Sequence, residues 1–190
     1  MIVLTLPRCG ATKFCMDLSE KTNLPFVGEM HPDYITEFDP VRAHTKIHHH
    51  ETHHDERIGI DEYIHVLENK DKYIIQINDA QHFMLPYADI FLLRKNVNNI
   101  LFSQGNLLLK AHPAMTEDLV YRWMSLLINP IKLVYTYVYK KNITPVWYED
   151  YFNDYPCLTP FLDRLPKIEE FKEHVDSLYL NYLSDKILNQ

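Results

Sequence analysis

A continuous apolar run rich in β-formers, residues 2–6 (IVLTL), constrains this chain more than anything else in it, and residues 72–78 (KYIIQIN) and 90–93 (IFLL) read as further strands. Continuous apolarity, as opposed to alternation, marks strands covered on both faces, as in a parallel sheet enclosed by helices. Residues 24–28 (LPFVG) read as a further short strand. Residues 143–148 (ITPVWY) read as a weaker one, because Pro145 limits its ladder bonds. Helical patterns fill the intervals. Phe14 and Leu18 share one face of a helix over 11–22, and Tyr63, Ile64 and Leu67 mark another over 61–69. A helix is expected over 97–111, and a further one from the N-cap Thr116 to Ile128, with Glu117 and Asp118 in its first turn. Asn129-Pro130 predicts a break with a new N-cap and N1. Ile168, Phe171, Val175, Leu178 and Tyr182 form a single C-terminal helical stripe.

Strands alternating with helices predict an α/β fold: three layers, with a short, mainly parallel central sheet flanked by helices. One domain over 1–190 is expected, with an irregular, histidine-rich excursion at about 30–60. In such sheets ligands sit beyond the carboxyl ends of the strands. The residues to weigh are therefore Pro7 to Thr12, Glu29, Asn78, Asp79 and Arg94.

Composition excludes several classes. Hydrophobic residues at 46% and charged ones at 24% rule out disorder throughout. Lys plus Arg total 19 against 26 Asp plus Glu, a net charge of −7, which argues against a nucleic-acid partner. Three cysteines do not make a disulfide scaffold. With no long apolar run and no basic leader, no membrane partner is expected, and the expected location is cytoplasmic with reduced thiols.

The turn Leu6-Pro7-Arg8-Cys9-Gly10-Ala11-Thr12-Lys13 joins the first strand to its helix. Unpaired amides at a helix N-terminus, with the positive end of its dipole, bind phosphate or sulfate. Gly10 allows close approach, Thr12 offers a hydroxyl, and Arg8 and Lys13 offer charge. The Walker pattern GxxxxGK[ST] is absent.

Pro7-Arg8-Cys9-Gly10-Ala11-Thr12 resembles the P-[KR]-[SC]-G-[ST]-T loop of sulfotransferases that use 3′-phosphoadenosine 5′-phosphosulfate (PAPS). The fold is similar to that of P-loop NTPases, and the spacing from Pro7 to Glu29 is nearest the bacterial trehalose 2-sulfotransferase-like branch. The resemblance implies that Arg8, Cys9, Gly10, Ala11, Thr12 and Lys13 hold the 5′-phosphosulfate and that Glu29 is the general base. Arg8 and Lys13 would stabilise charge on the bridging oxygen. Ala11 stands where the family prefers a hydroxyl, which leaves only its backbone amide as donor. Ile90-Phe91-Leu92-Leu93-Arg94, followed by a helix containing Ser103, resembles the 3′-phosphate site, with Lys95 able to share the role of Arg94. Pro145-Val146-Trp147-Tyr148-Glu149-Asp150 is similar to the last core strand, whose acidic residues are mostly structural.

The reaction implied is sulfuryl transfer from PAPS, as co-substrate, to a hydroxyl of a carbohydrate or small-molecule acceptor, with no metal required. His31 is a rival base, because its ordinary pKa of about 6.5 suits the task. A second reading is a nucleotide-binding or assembly module without turnover. The short chain and the lack of any glycine after Gly105, hence of the family's C-terminal basic loop, motivate it. A nucleotide kinase-like phosphotransferase is a third, against which the missing Walker residues argue.

Six of the 11 histidines (His44, His48, His49, His50, His53 and His54) lie within residues 44–54. If helical, His50/His54 or His49/His53 would stand at the i, i+4 spacing that chelates zinc, although His50-Glu51-Thr52-His53-His54 is not HExxH. A solvated polar segment and an anion-attracting rim are the other readings. Cys9 is read as a packing residue and backbone donor, and Cys15 and Cys157 as core.

Overall fold

The computed structural model describes residues 1–30, 46–49, 54–57, 60–78, 85–152, 168–178 and 180–190. The chain divides into two compact units, Met1–Leu92 and Leu93–Gln190.

The first unit is built on a mainly parallel sheet. Its strands are β1 (Ile2–Thr5), β2 (Phe26–Met30), β3 (Lys46–His49), β4 (His54–Arg57), β5 (Ile74–Ile77) and β6 (Ile90–Leu93). Their spatial order is β4-β3-β2-β5-β1-β6. β1 is parallel to β5 (Val3 opposite Gln76) and to β6 (Leu4 opposite Phe91), and β2 is parallel to β5. β3 and β4 add an antiparallel hairpin at the β2 edge. Ile2 to Leu6 are all buried, as the continuous apolar run requires. Helix α1 (Ala11–Thr22) packs on β1, β2 and β5 with Phe14, Cys15 and Ser19 buried. It ends at Asn23, whose left-handed φ of 55° is a usual helix stop. Helix α2 (Ile60–Glu68) follows β4.

The second unit is largely helical: α3 (Val97–Ala111), α4 (Glu117–Leu126), α5 (Ile128–Lys140), the short strand β7 (Val146–Trp147), the single turn α6 (Tyr148–Tyr151), α7 (Ile168–Ser177) and α8 (Leu180–Leu188). α3 packs on α4 and α8, and α5 packs on α8. A Cβ at Gly105 of α3 would lie 2.8 Å from Met124 Sδ, so glycine sets the close approach of α4. The fold class is thus the expected α/β one, a mainly parallel sheet with helices. Among the described residues no helix is long and apolar enough to cross a membrane.

Several local expectations need correction. β2 runs on to Met30, so Glu29 lies inside the strand and not after it. Within 30–60, residues 46–49 and 54–57 are strands, because β2 offers them a free edge to pair with. The start of α5 is two residues early: Leu127 is its N-cap, and Pro130 sits third, still in the first turn where no amide is needed. The strand at 143–148 shrinks to Val146–Trp147 behind Pro145. The C-terminal stripe breaks between α7 and α8, which turns Tyr182 outward while Phe171 and Val175 stay buried.

Two stability tests follow from this geometry. At the end of α5, Ile143 N–H donates to Val138 C=O (3.0 Å) and Asn142 N–H to Tyr139 C=O (3.1 Å), with Asn142 at φ 53°. This is a Schellman stop. Asn142→Ala should lose about 1 kcal/mol in urea unfolding, whereas Asn142→Gly should be neutral or stabilising. Burial pushes the Cys15 thiol up to about 12. An unfolded thiol ionises near about 8.5, so above that pH the unfolded chain sheds the proton first. Stability should fall from this group by up to about 1.4 kcal/mol per pH unit until pH about 12. Cys15→Ala should flatten that decline in pH-dependent denaturant curves.

Candidate functional site

The parallel strands place the carboxyl ends of β1, β2 and β5 side by side, with neighbouring strands about 4.8 Å apart. The turn after β1 emerges there between β5 and β6. Asn78 follows β5, and Glu29 lies near the end of β2.

The turn is unusual in its backbone. Arg8 has φ 68° and Gly10 has φ 70°, ψ 20°, both left-handed, and Cys9 between them is not. Among the described residues, two of the three non-glycine ones with positive φ, Asn23 and Asn142, follow the last turn of a helix; Arg8 does not. A left-handed arginine costs roughly 1–2 kcal/mol. Alternating φ signs fold successive amides into a concavity suited to an anion. Cys9 N–H donates to Leu6 C=O (3.3 Å) and closes the turn, so this amide is engaged within the loop and is not the outward donor expected. The first helical bond runs from Phe14 N–H to Gly10 C=O (3.1 Å), so the amides of Ala11, Thr12 and Lys13 precede the helical ladder.

The side chains divide in two. Cys9 and Ala11 are buried, while Arg8, Thr12 and Lys13 are exposed. Lys13 pairs with Asp17 one turn on at 2.5 Å, and that hydrogen bond raises its pKa. Such an exposed i, i+4 pair holds weakly, so the ammonium can swing to a stronger anion at little cost.

At the end of β2 the register against β5 slips: Val27 faces Ile75, yet Met30 faces Ile77. One extra residue, within Gly28-Glu29, forms a bulge, a device that re-aims side chains at strand ends. His31 and Asp79 lie outside the described residues. Gln76, which the sequence reading passed over, is 2% exposed in the middle of the sheet. Its Nε2 donates to Asn78 Oδ1 (2.6 Å), and its Oε1 has no partner among the described residues. The available signal was a lone amide inside an otherwise apolar strand.

In the second unit Arg94 is 4% exposed. Its guanidinium lies 4.0 Å from the centre of the Tyr148 ring, and its Nε lacks a partner among the described residues. No carboxylate among those residues pairs with it. Its backbone is clamped from both sides, because the buried Tyr135 hydroxyl accepts from Arg94 N–H (3.2 Å) and donates to Arg94 C=O. Lys95 is committed elsewhere: its N–H donates to Glu149 Oε2 (2.9 Å) and its ammonium pairs with Asp150. That exposed pair holds as weakly as Lys13–Asp17, while Glu149 fixes the strand end through the Lys95 backbone amide. Ser103, buried, sits two turns into α3, whose N-cap Asn96 accepts from Asn98 N–H (3.0 Å). Ser103 and Arg94 thus lie within one unit, while residues 8–13 and Glu29 belong to the other.

No protein-family model, curated protein or solved structure matches this chain.

Removing the Tyr135 hydroxyl leaves two buried backbone groups of Arg94 unpaired. Tyr135→Phe should therefore lose about 1–3 kcal/mol in chemical denaturation, more than a single surface hydrogen bond would account for.

Proposed function

We propose that this chain is a PAPS-dependent sulfotransferase that transfers a sulfuryl group to a hydroxyl of a sugar or small metabolite in the cytoplasm. The observation that carries the reading is the β1–α1 turn, where left-handed Arg8 and Gly10 flank Cys9 directly ahead of the first amides of α1. A parallel strand, such a turn and a helix N-terminus suit a doubly negative ester group. The reading assigns the 5′-phosphosulfate to Arg8, Gly10, Ala11, Thr12 and Lys13, and the 3′-phosphate to Arg94 and Ser103.

Chemically, the acceptor oxygen forms a bond to sulfur as the bond from sulfur to the bridging phosphate oxygen breaks. The acceptor proton passes to the Glu29 carboxylate. Charge grows on the bridging oxygen, where Arg8 and Lys13 would meet it. A second reading is nucleotide binding without turnover.

Titration of the full chain with 3′-phosphoadenosine 5′-phosphate separates these readings. Binding in the micromolar range is expected, and Arg94→Ala should weaken it at least ~10-fold, as loss of a charge-assisted contact does. No binding at millimolar nucleotide overturns the cofactor assignment. With binding intact, Glu29→Gln should abolish sulfated product while leaving nucleotide affinity unchanged. Absence of transfer by the wild-type chain to a broad panel of sugars and small alcohols would leave the non-catalytic reading.

A further inference from the structure

Helix α4 (Glu117–Leu126) carries two apolar faces. One is built into its own unit: Val120 and Met124 are fully buried, and Met124 lies against Gly105 of α3. The other lies in the open. Leu119 is 42% exposed, Trp123 48% and Leu126 64%, the last being the most exposed large apolar side chain among the described residues. A single exposed leucine needs no explanation, but three large apolar side chains on one stripe mark an interaction surface.

At about 100° per residue, Leu119 and Leu126 stand almost in line, about 10 Å apart along the helix. Arg122 and Trp123 flank that line, about 50° to either side and at nearly the same height. Arg122 has no ion pair, and neither it nor Trp123 has a ring contact, among the described residues.

A face of this form is complementary to itself. Two-fold pairing of parallel copies about the Leu119–Leu126 line sets each leucine against its own equivalent, at the seven-residue repeat of a coiled-coil seam. It also sets the Arg122 guanidinium across the seam from Trp123 of the partner subunit, and this contact occurs twice per pair. Cation and ring face attract in that arrangement. An antiparallel pair would instead oppose Trp123 to its own equivalent and bring the two Arg122 charges together. Charge therefore selects the parallel arrangement. Tryptophan and arginine are also the residues that most often dominate the energy of a buried interface.

We propose that the exposed face of α4 joins two copies of this chain in a parallel two-fold pair, with Leu119 and Leu126 as its seam and Arg122 set on Trp123 of the partner subunit. One helix of 10 residues a side falls short of the roughly 800 Å² per partner of a standard interface, so the pair forms weakly and reversibly. It is independent of the β1–α1 turn and of the transfer chemistry proposed there.

Sedimentation equilibrium of the full chain, from low micromolar to submillimolar concentration, tests the proposal. A monomer–dimer equilibrium is expected. Leu126→Glu places like charges in the seam and should weaken dimerisation at least ~10-fold, without moving the urea midpoint of the dilute chain. Arg122→Ala and Trp123→Ala should each weaken it, and the double variant by less than the product of the two, because both remove the same contact. Leu126→Cys should link two copies by a disulfide on mild oxidation, with the wild-type chain as control. Linkage that appears only when Leu119→Cys and Leu126→Cys chains are mixed would reveal an antiparallel pair and overturn the arrangement. A chain that stays monomeric over the whole range, whatever other protein this face takes up, overturns the proposal, as does a dimer indifferent to Leu126→Glu.

Discussion

Pairing of Ile2–Thr5 on both sides leaves the chain a single way out. Ile75 N–H donates to Met1 C=O (2.9 Å) on one side. On the other, Asp89 N–H donates to Ile2 C=O (2.9 Å) and returns its carboxylate to Ile2 N–H (2.7 Å). At the far end the buried Thr5 hydroxyl donates to Leu92 C=O (3.1 Å). With both ladders satisfied, the strand cannot slide, and Pro7 cannot extend it. The chain must turn within a few residues to deliver Ala11 to the helix that covers the sheet. That compression, not the identity of any one side chain, forces left-handed backbone at Arg8 and Gly10 and leaves helix amides at the strand end.

Much of this frame was legible because it rests on burial. IVLTL, IFLL, α1 over 11–22 and α3 over 97–111 follow from unbroken apolar runs and 3.6-residue periodicity. What escaped depends on partners distant in sequence. The C-terminal stripe keeps helical spacing through Leu178, yet the chain breaks there and Tyr182 turns out to solvent. The histidines carry two periods at once: helical spacing suits His50 with His54, while hairpin pairing suits His49 with His54. Only the free edge of β2 decides between them. The left-handed arginine was hidden for a simpler reason, since positive φ is signalled by glycine or asparagine and Arg8 is neither.

Within the candidate site the legible part was the turn and the strand-end arginine. The sequence could place Arg94 after a strand, but not bury it or hold it. Tyr135, forty-one residues on, makes both of its backbone bonds, and Tyr148 supplies the ring face. Lys95, one residue away and equally basic by sequence, is spent on Asp150. Adjacent cations thus differ because the strand end directs one inward and the other to a carboxylate. An interior guanidinium that meets, among the described residues, only a ring face is costly unless another acceptor completes it. That cost sets Arg94 apart from Lys95, whose backbone amide and ammonium meet Glu149 and Asp150.

The overall charge sharpens the distinction. A chain at −7 repels a polyanion at long range, so steering by the field of the whole protein cannot supply the affinity. On the proposed reading, recognition at the β1–α1 turn would come from short, directional donors, the backbone amides whose geometry the turn sets. Contacts of this kind are screened by salt far less than exposed charge pairs are. If the proposed 3′-phosphoadenosine 5′-phosphate binding is found, its affinity should vary little with ionic strength, in contrast to that of a protein that draws its ligand in with a basic surface. Substituting exposed lysines such as Lys13 would then matter less than any change that relaxes the turn at Gly10.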